Sequence, residues 1–323
     1  MTVGDIVSAT PISEEGPLNV GPEGAKKIEG RSPWRLAFER LRRDKAALIS
    51  MIVIVLIVVV AIIAPVFKHI TGHPPNQQYF TDGLTPDGLP KGPTGKFVLG
   101  TDDLGRDILV RLAYGARISL LVGVVATFLT VAIGTIVGLA AGYFGKIVDT
   151  ILARLIDVML SLPFLLFAIA LSSVFHTGLK IVIIVLAIFG WSSVARIVRG
   201  QVLSIREREY VEAARAMGAG SWRIMLIDIL PNVIAPIIVY TTLLIPVSIV
   251  GEATLSFLGV GVQPPTADWG QMIADAQTSN AVEHAWWFLV FPSVALLITT
   301  LAFNIFGDGV RDAFDPRSDR MFR

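Results

Sequence analysis

The sequence predicts an all-α membrane protein with six transmembrane helices. Two observations carry this fold class. Asp, Glu, Lys and Arg make up only 16% of the 323 residues and hydrophobic residues 53%, against roughly 25% charged in an average soluble domain. The apolar residues also gather in long charge-free blocks, at a mean hydropathy of +0.67, instead of alternating as in a globular core. A net charge of +1 gives no electrostatic footprint for nucleic acid. The absence of cysteine excludes disulfides, thiolate metal sites and a thiol nucleophile, and the four scattered histidines argue against a metal centre.

Residues 1–31 are polar and rich in Gly, Pro and Glu, which predicts a disordered tail. No secretory signal is expected, because the first apolar run begins only near Ala46 and is too long for one. Ser32-Pro33 reads as an N-cap and first helical position over 32–45, where Trp34, Phe38 and Leu41 share one face. Either an interfacial helix or a solvated juxtamembrane stretch fits that pattern. Spans follow at 46–67, 118–145, 158–176, 179–197, 229–251 and 285–307, judged against the roughly 20 helical residues that cross the hydrocarbon. An outer loop over 68–117 and an outer lid over 252–284 connect them, and 308–323 closes the chain as a tail. Pro163, Pro231, Pro236, Pro246 and Pro292 lie in or beside spans, where they can kink helices.

Orientation follows from Lys and Arg in the short connections. Arg31, Arg35, Arg40, Arg42, Arg43 and Lys45 precede the first span; Arg196, Arg199, Arg206, Arg208, Arg215 and Arg223 lie around the fourth-to-fifth connection. Residues 252–284 hold no Lys or Arg. Both termini are therefore expected in the cytoplasm of a cell-membrane protein.

The 198–228 segment is the distinctive one. Residues 196–228 carry ten charged side chains; at about 2.5–3.5 kcal/mol each at mid-bilayer, they exclude the segment from hydrocarbon. Tyr210, Ala213, Ala214 and Met217 recur at i, i+3, i+4 and i+7, Gly218 can end the helix in a left-handed turn, and Ser221 can cap the next one. Such an alanine-faced helix suits either docking into a partner's groove or packing on its own chain's helix ends.

Glu212-Ala213-Ala214, Gly218 and Leu230-Pro231 resemble the E-A-A-x3-G-x9-I-x-L-P loop of bacterial ATP-binding-cassette importer permeases, departing at Asp228 where the general pattern has isoleucine. The stretches "FVLGTDDLGRDILVRLAYGARISL" (97–120), "LGVGVQPPTADWGQMI" (258–273) and "GDGVRDAFDPR" (307–317) are similar to the C-type permeases for dipeptides, oligopeptides and nickel. The resemblance runs from about residue 32 to the C-terminus. It implies a type I importer permease fold with a cytoplasmic coupling helix. In that family the helix sits in a cleft of the ATPase, which assigns ATPase coupling to Tyr210, Glu212, Ala213, Ala214, Met217 and Gly218, with Leu230 and Pro231 ending the loop.

The resemblance also implies partners: a B-type permease subunit completing a heterodimer, two ATPase subunits or one fused ATPase, and an extracytoplasmic solute-binding protein. Membrane lipid surrounds the spans. No cofactor is expected on this chain, ATP being bound by the partners; no G-x-x-x-x-G-K-[ST] loop is present. The implied cargo is a di- or oligopeptide, with nickel or another small solute as the alternative.

Asp102, Arg106, Asp107 and Trp269 are candidate contacts for the binding protein or an outer gate. A structural cap, with an Asp107–Arg111 pair one turn apart, and an interfacial anchor for Trp269 are the competing readings. Glu252, at the outer end of the fifth span, reads as an interfacial cap or a gate, and Asn304 as a bond to a neighbouring helix. The spans lack mid-depth charges, which argues against an ion-coupled carrier. A non-transporting scaffold would account for the docking helix equally well.

Overall fold

The structure is a computed structural model that describes residues 33–175, 177–279 and 283–315. The tail expected over 1–31 and the Ser32 cap lie outside these residues. Among the described residues there is no strand; two isolated antiparallel bridges, Leu84 with Pro90 and Thr101 with Asp107, occur in one loop. Among the described residues, five helices are long and apolar enough to cross a membrane, and one bent helix pair makes a sixth if counted as a single span.

α1 (Pro33–Leu41) lies against the far end of the chain: Trp34 meets Phe314 edge-on at 5.3 Å, and Arg40 donates to the Asp315 carbonyl at 2.9 Å. Asp44 caps α2 (Lys45–Ile62), accepting from the N–H groups of Ala46 and Ala47. α3 (Ala64–Thr71) follows and ends at Gly72, whose φ of 70° is left-handed.

α4 (Ile108–Phe144) begins ten residues before the expected 118. The expected span starts where the charge-free run begins, after Arg117; the added turns hold Arg111, whose side chain is only 1% exposed. α4 packs closest against α7 (Leu179–Ile205). Gly134, Gly138 and Gly142 of α4 face Val194, Val198 and Val202 of α7; a Cβ at each glycine would sit 2.5, 2.7 and 2.6 Å from the facing valine's Cβ. The equal four-residue steps show that the two helices run parallel. Only glycine permits this approach, the small-xxx-small rule of membrane helices.

The third span departs from expectation. Instead of one helix over 158–176, α5 (Lys146–Ser161) and α6 (Phe164–Phe175) meet at 89°. Pro163 lacks an amide hydrogen and holds Leu162 extended, at φ −79° and ψ 129°, so the helix stops there.

After α7 come α8 (Glu209–Ala216) and α9 (Ser221–Arg223), then a π-helical stretch over Ile224–Ile229 that runs into α10 (Leu230–Phe257). Pro231 explains the wide turn: it cannot bond the carbonyl four residues back and its ring crowds it, so the helix opens until Leu230 N–H reaches Met225 O. Ser221 makes no side-chain cap; Gly220 holds that position. Pro236 and Pro246 stay inside α10, and Pro292 inside α12 (Trp286–Phe314), which continues well past residue 307. α11 (Trp269–Thr278) occupies the 252–284 connection and is capped by Asp268. Asn304 is exposed rather than bonded to a neighbouring helix. Glu252 is fully buried inside the protein.

Candidate functional site

The two ends of the bundle differ. At one end, where α4 and α7 finish, α8 protrudes. Its inner face seats Val211 and Ala214 against a core of Leu139, Val198, Val202, Ile224, Ile229 and Val233. Its outer face leaves Tyr210, Glu212, Ala213 and Met217 exposed, Met217 at 82%. The expected four-residue face is thereby corrected: Ala214 belongs to this chain's own core, because its Cβ turns inward with Val211, one turn back. Trp222, 71% exposed, extends the outer face beyond the turn.

The turn itself is built for sharpness. Gly218 adopts φ 83°, its N–H bonds the Arg215 carbonyl at 3.0 Å, and the Ala219 N–H bonds the Ala214 carbonyl at 3.1 Å. That pair of bonds is the Schellman closure, and a left-handed residue at its centre favours glycine. Leu230 is half-buried in the same core, and Pro231 lies in the first turn of α10. A polar cavity of about 450 Å³ opens beside α8, lined by Tyr143, Lys146, Arg206, Glu207, Glu212 and Arg215.

At the other end, residues 72–107 fold back as a cap. Asp102, Arg106 and Asp107 are buried within it, at 4% exposure or less; Trp269, the first residue of α11, is buried too, at 2%. Asp102 accepts from the backbone N–H groups of Leu104 and Arg106 and binds the Arg106 Nε at 2.5 Å. Its other neighbour is Arg111, whose Nε lies 3.4 Å away without a hydrogen bond, while Arg111 Nη1 donates to the Pro75 and Pro265 carbonyls at 3.2 and 3.5 Å. Asp107 does not pair with Arg111. It caps α4 and binds His73 Nδ1 at 2.7 Å, and the His73 ring stacks on Phe97 at 4.7 Å. Trp269 donates to the Leu112 carbonyl at 3.0 Å and fills the space beside Gly115, so it is a packing residue and not a membrane anchor. Of the four residues expected to contact a binding protein, Asp102, Arg106 and Asp107 are internal struts of the cap, and Trp269 packs α11 against α4.

Asp103 is the exception in this cluster. Its side chain keeps 32% exposure and stands 3.8 Å from Arg106, and its Oδ1 accepts no hydrogen bond. Burial, with the nearby Asp102 and Asp275 charges, pushes its carboxyl up to about 6 against the opposing pull of Arg106. The folded state therefore binds this proton more tightly than the unfolded one. Stability is fullest below pH 3.8 and falls as pH rises towards about 6. Asp103→Asn is expected to stabilise the protein by about 1 kcal/mol at pH 7, after allowance for solvent screening, and to do nothing at pH 4. Thermal melts at the two pH values check this.

A parallel glycine-valine pair of spans, a bent half-span and a protruding short helix define a membrane permease of the type I importer fold. The family described as binding-protein-dependent transport system inner membrane component matches residues 134–320, and the N-terminal TM domain of oligopeptide transport permease C matches residues 32–86. The chain belongs to the binding-protein-dependent transport system inner membrane component family, as a transport subunit and not an enzyme.

It is 42% identical over 284 residues to the dipeptide transport system permease protein DppC of Bacillus subtilis (strain 168), covering 88% of this chain and 86% of that one. It is 41% identical over 304 residues to the oligopeptide transport system permease protein OppC of the same strain, covering 94% and 96%. Against the di/tripeptide transport system permease protein DppC of Pseudomonas aeruginosa (strain UCBPP-PA14), identity is 40% over 286 residues, covering 88% and 93%. Among solved structures, the inward-facing MetNI methionine ABC transporter matches with a TM-score of 0.51 at 22% identity, covering 63% of this chain and 96% of that one, a likeness of fold.

The glycine ladder is the part of this architecture that sequence reading missed. Its signal, three glycines at four-residue steps within an apolar run, was present in residues 134–142.

Proposed function

We propose that this chain is the C-type permease of an ATP-driven peptide importer and forms half of the translocation path. The observation that carries the mechanism is the exposed Tyr210–Ala213–Met217 face of α8, standing at the end of the tightly packed α4–α7 pair. A small-residue face on a short helix lets a groove on another protein close around it, and rigid packing behind it transmits displacement to the spans. The groove belongs to an ATPase subunit. ATP binding draws two such subunits together, α8 moves with them, and the spans switch from inward- to outward-facing; hydrolysis resets the cycle. α8 and both termini then lie in the cytoplasm, and the 72–107 cap lies outside, towards a solute-binding protein. A B-type permease completes the path. The peptide cargo is supported by relatives near 40% identity that are dipeptide, di/tripeptide and oligopeptide transport permeases.

Ala213→Trp adds a large side chain to the exposed face without disturbing the core beneath it. Blocking the groove is expected to lower transport about tenfold or more, an overpacking cost of about 1–3 kcal/mol at the contact, while the permease still folds. Co-purification of the ATPase and transport in vesicles are the readouts; if both survive, the docking reading fails. The cargo is tested separately. The intact complex, reconstituted with its binding protein, should hydrolyse ATP faster with di- or oligopeptides; stimulation by nickel and not by peptides would overturn the peptide assignment.

A further inference from the structure

We propose that Glu252 and Asp268 hold a single proton between them, and that this shared proton is a latch fastening α11 onto α10 and α4. Both side chains are fully buried. One hydroxyl bridges them: Ser119 Oγ of α4 lies 3.1 Å from Glu252 Oε2 and 3.3 Å from Asp268 Oδ1. Ser119 has one hydrogen and cannot satisfy both. The remaining donors are neutral. Ser256 Oγ donates to Glu252 Oε1 at 2.9 Å, and the N–H groups of Gly270 and Gln271 reach the Asp268 oxygens at 3.4 and 3.1 Å. Among the described residues, no Lys, Arg or His forms an ion pair with either carboxylate.

Two ionised carboxylates bridged by one oxygen in a buried site repel one another and lack counter-charge. A proton on one of them replaces that repulsion with an O–H···O⁻ bond, among the stronger hydrogen bonds available to a protein.

The neighbouring charges do not supply an alternative. On α4, Arg111 is committed to Asp102 and to the Pro75 and Pro265 carbonyls, and Arg117 is exposed over the Tyr114 ring. Arg106 is bound to Asp102 and reaches Asp275, the acidic group of α11, at 3.5 Å. α7 brings Leu186 against Gly251, with Lys180 exposed at its start. α6 has no titratable residue, and those of α12 begin at Asp308, near its other end. Glu283 and His284, just before α12, are exposed.

The latch holds a close joint. A Cβ on Gly270 would fall 2.3 Å from the Ala253 carbonyl oxygen, so the first turn of α11 rests directly on the backbone of α10. Loss of the shared proton leaves two buried anions at that joint and drives α11 away from it. The inference concerns lid docking and holds whatever the cargo.

The test uses the full-length permease, purified with its partner subunits in lipid nanodiscs, on an Asp103→Asn background that removes the overlapping titration. Infrared spectra at pH 7 should show one protonated-carboxyl carbonyl band that Glu252→Gln removes. Hydrogen exchange of residues 269–278, corrected for its intrinsic pH dependence, should accelerate about a hundredfold in one step as pH is raised, the scale expected for exposing a broken buried pair. Glu252→Gln, which keeps a donor and cannot ionise, should abolish that step and leave α11 protected. No such band in the parent protein, no step in exchange, or the same step in Glu252→Gln would each overturn the proposal. If Glu252→Gln does not fold, the parent titration and Asp268→Asn, which retains the cap acceptor, give the same decision.

Discussion

Gly138→Leu is expected to abolish folding of the permease in the membrane. A Cβ at this position would already stand 2.7 Å from both the Ala195 carbonyl oxygen and the Val198 Cβ. The first of these is backbone and cannot swing aside. Even Gly138→Ala forces α4 and α7 apart along their close-packed seam, at an overpacking cost of about 1–3 kcal/mol or more. Leucine adds three further carbons to a space that does not hold one. Gly200→Leu on α7 is the control, because nothing lies within 4 Å of its added Cβ. The measurement is the fraction of monodisperse protein after mild extraction, with its thermal midpoint: near zero for Gly138→Leu, near that of the parent for Gly200→Leu. At Gly142 the two nearest atoms both belong to Val202, at 2.6 and 2.7 Å. Val202→Gly should therefore rescue part of the damage done by Gly142→Ala.

Arg111→Leu should be nearly as damaging for a different reason. The guanidinium is buried at the start of α4 between the Asp102 carboxylate and two proline carbonyls. Removing it strands a buried carboxylate beside Arg106 alone and leaves two loops without their tie to the helix. Breaking one partner of a buried pair costs about 3–5 kcal/mol, which corresponds to roughly 10 °C in thermal midpoint for a chain of this size. Arg111→Lys should fall between, since one ammonium on a flexible stem cannot hold the carboxylate and both carbonyls in the same fork. Equal midpoints for the parent and Arg111→Leu would remove Arg111 from the structural account of the cap.

These two sites also mark where reading the sequence succeeds and where it stops. α8 and the Gly218 turn are legible because their determinants are local: a helical stripe and a glycine at the closing position. Pro163 is likewise visible as a break, but the 89° angle between α5 and α6 is set by what they pack against. The glycines at 134, 138 and 142 announce a close helix contact, yet nothing in them names α7 as the partner. That pairing joins stretches about 60 residues apart through tertiary packing alone. The cap was misjudged for the same reason. Asp102, Arg106 and Asp107 look like surface charges beside "LGTDDLGRD", but the chain folds back over them. His73 reaches Asp107 from 34 residues upstream and Asp275 reaches Arg106 from 169 downstream. Burial of charge is decided by such distant partners, and local pattern cannot report it.

The elbow at Leu162-Pro163 constrains what surrounds it. A continuous membrane helix hides its own main-chain polarity; a helix that stops partway leaves its final carbonyls without amide partners. Acyl chains offer such carbonyls nothing, so non-helical backbone at that depth persists only against protein or beside water. Wherever such a corner stands at hydrocarbon depth, the flank that bears it must face a neighbouring polypeptide or an aqueous passage instead of lipid.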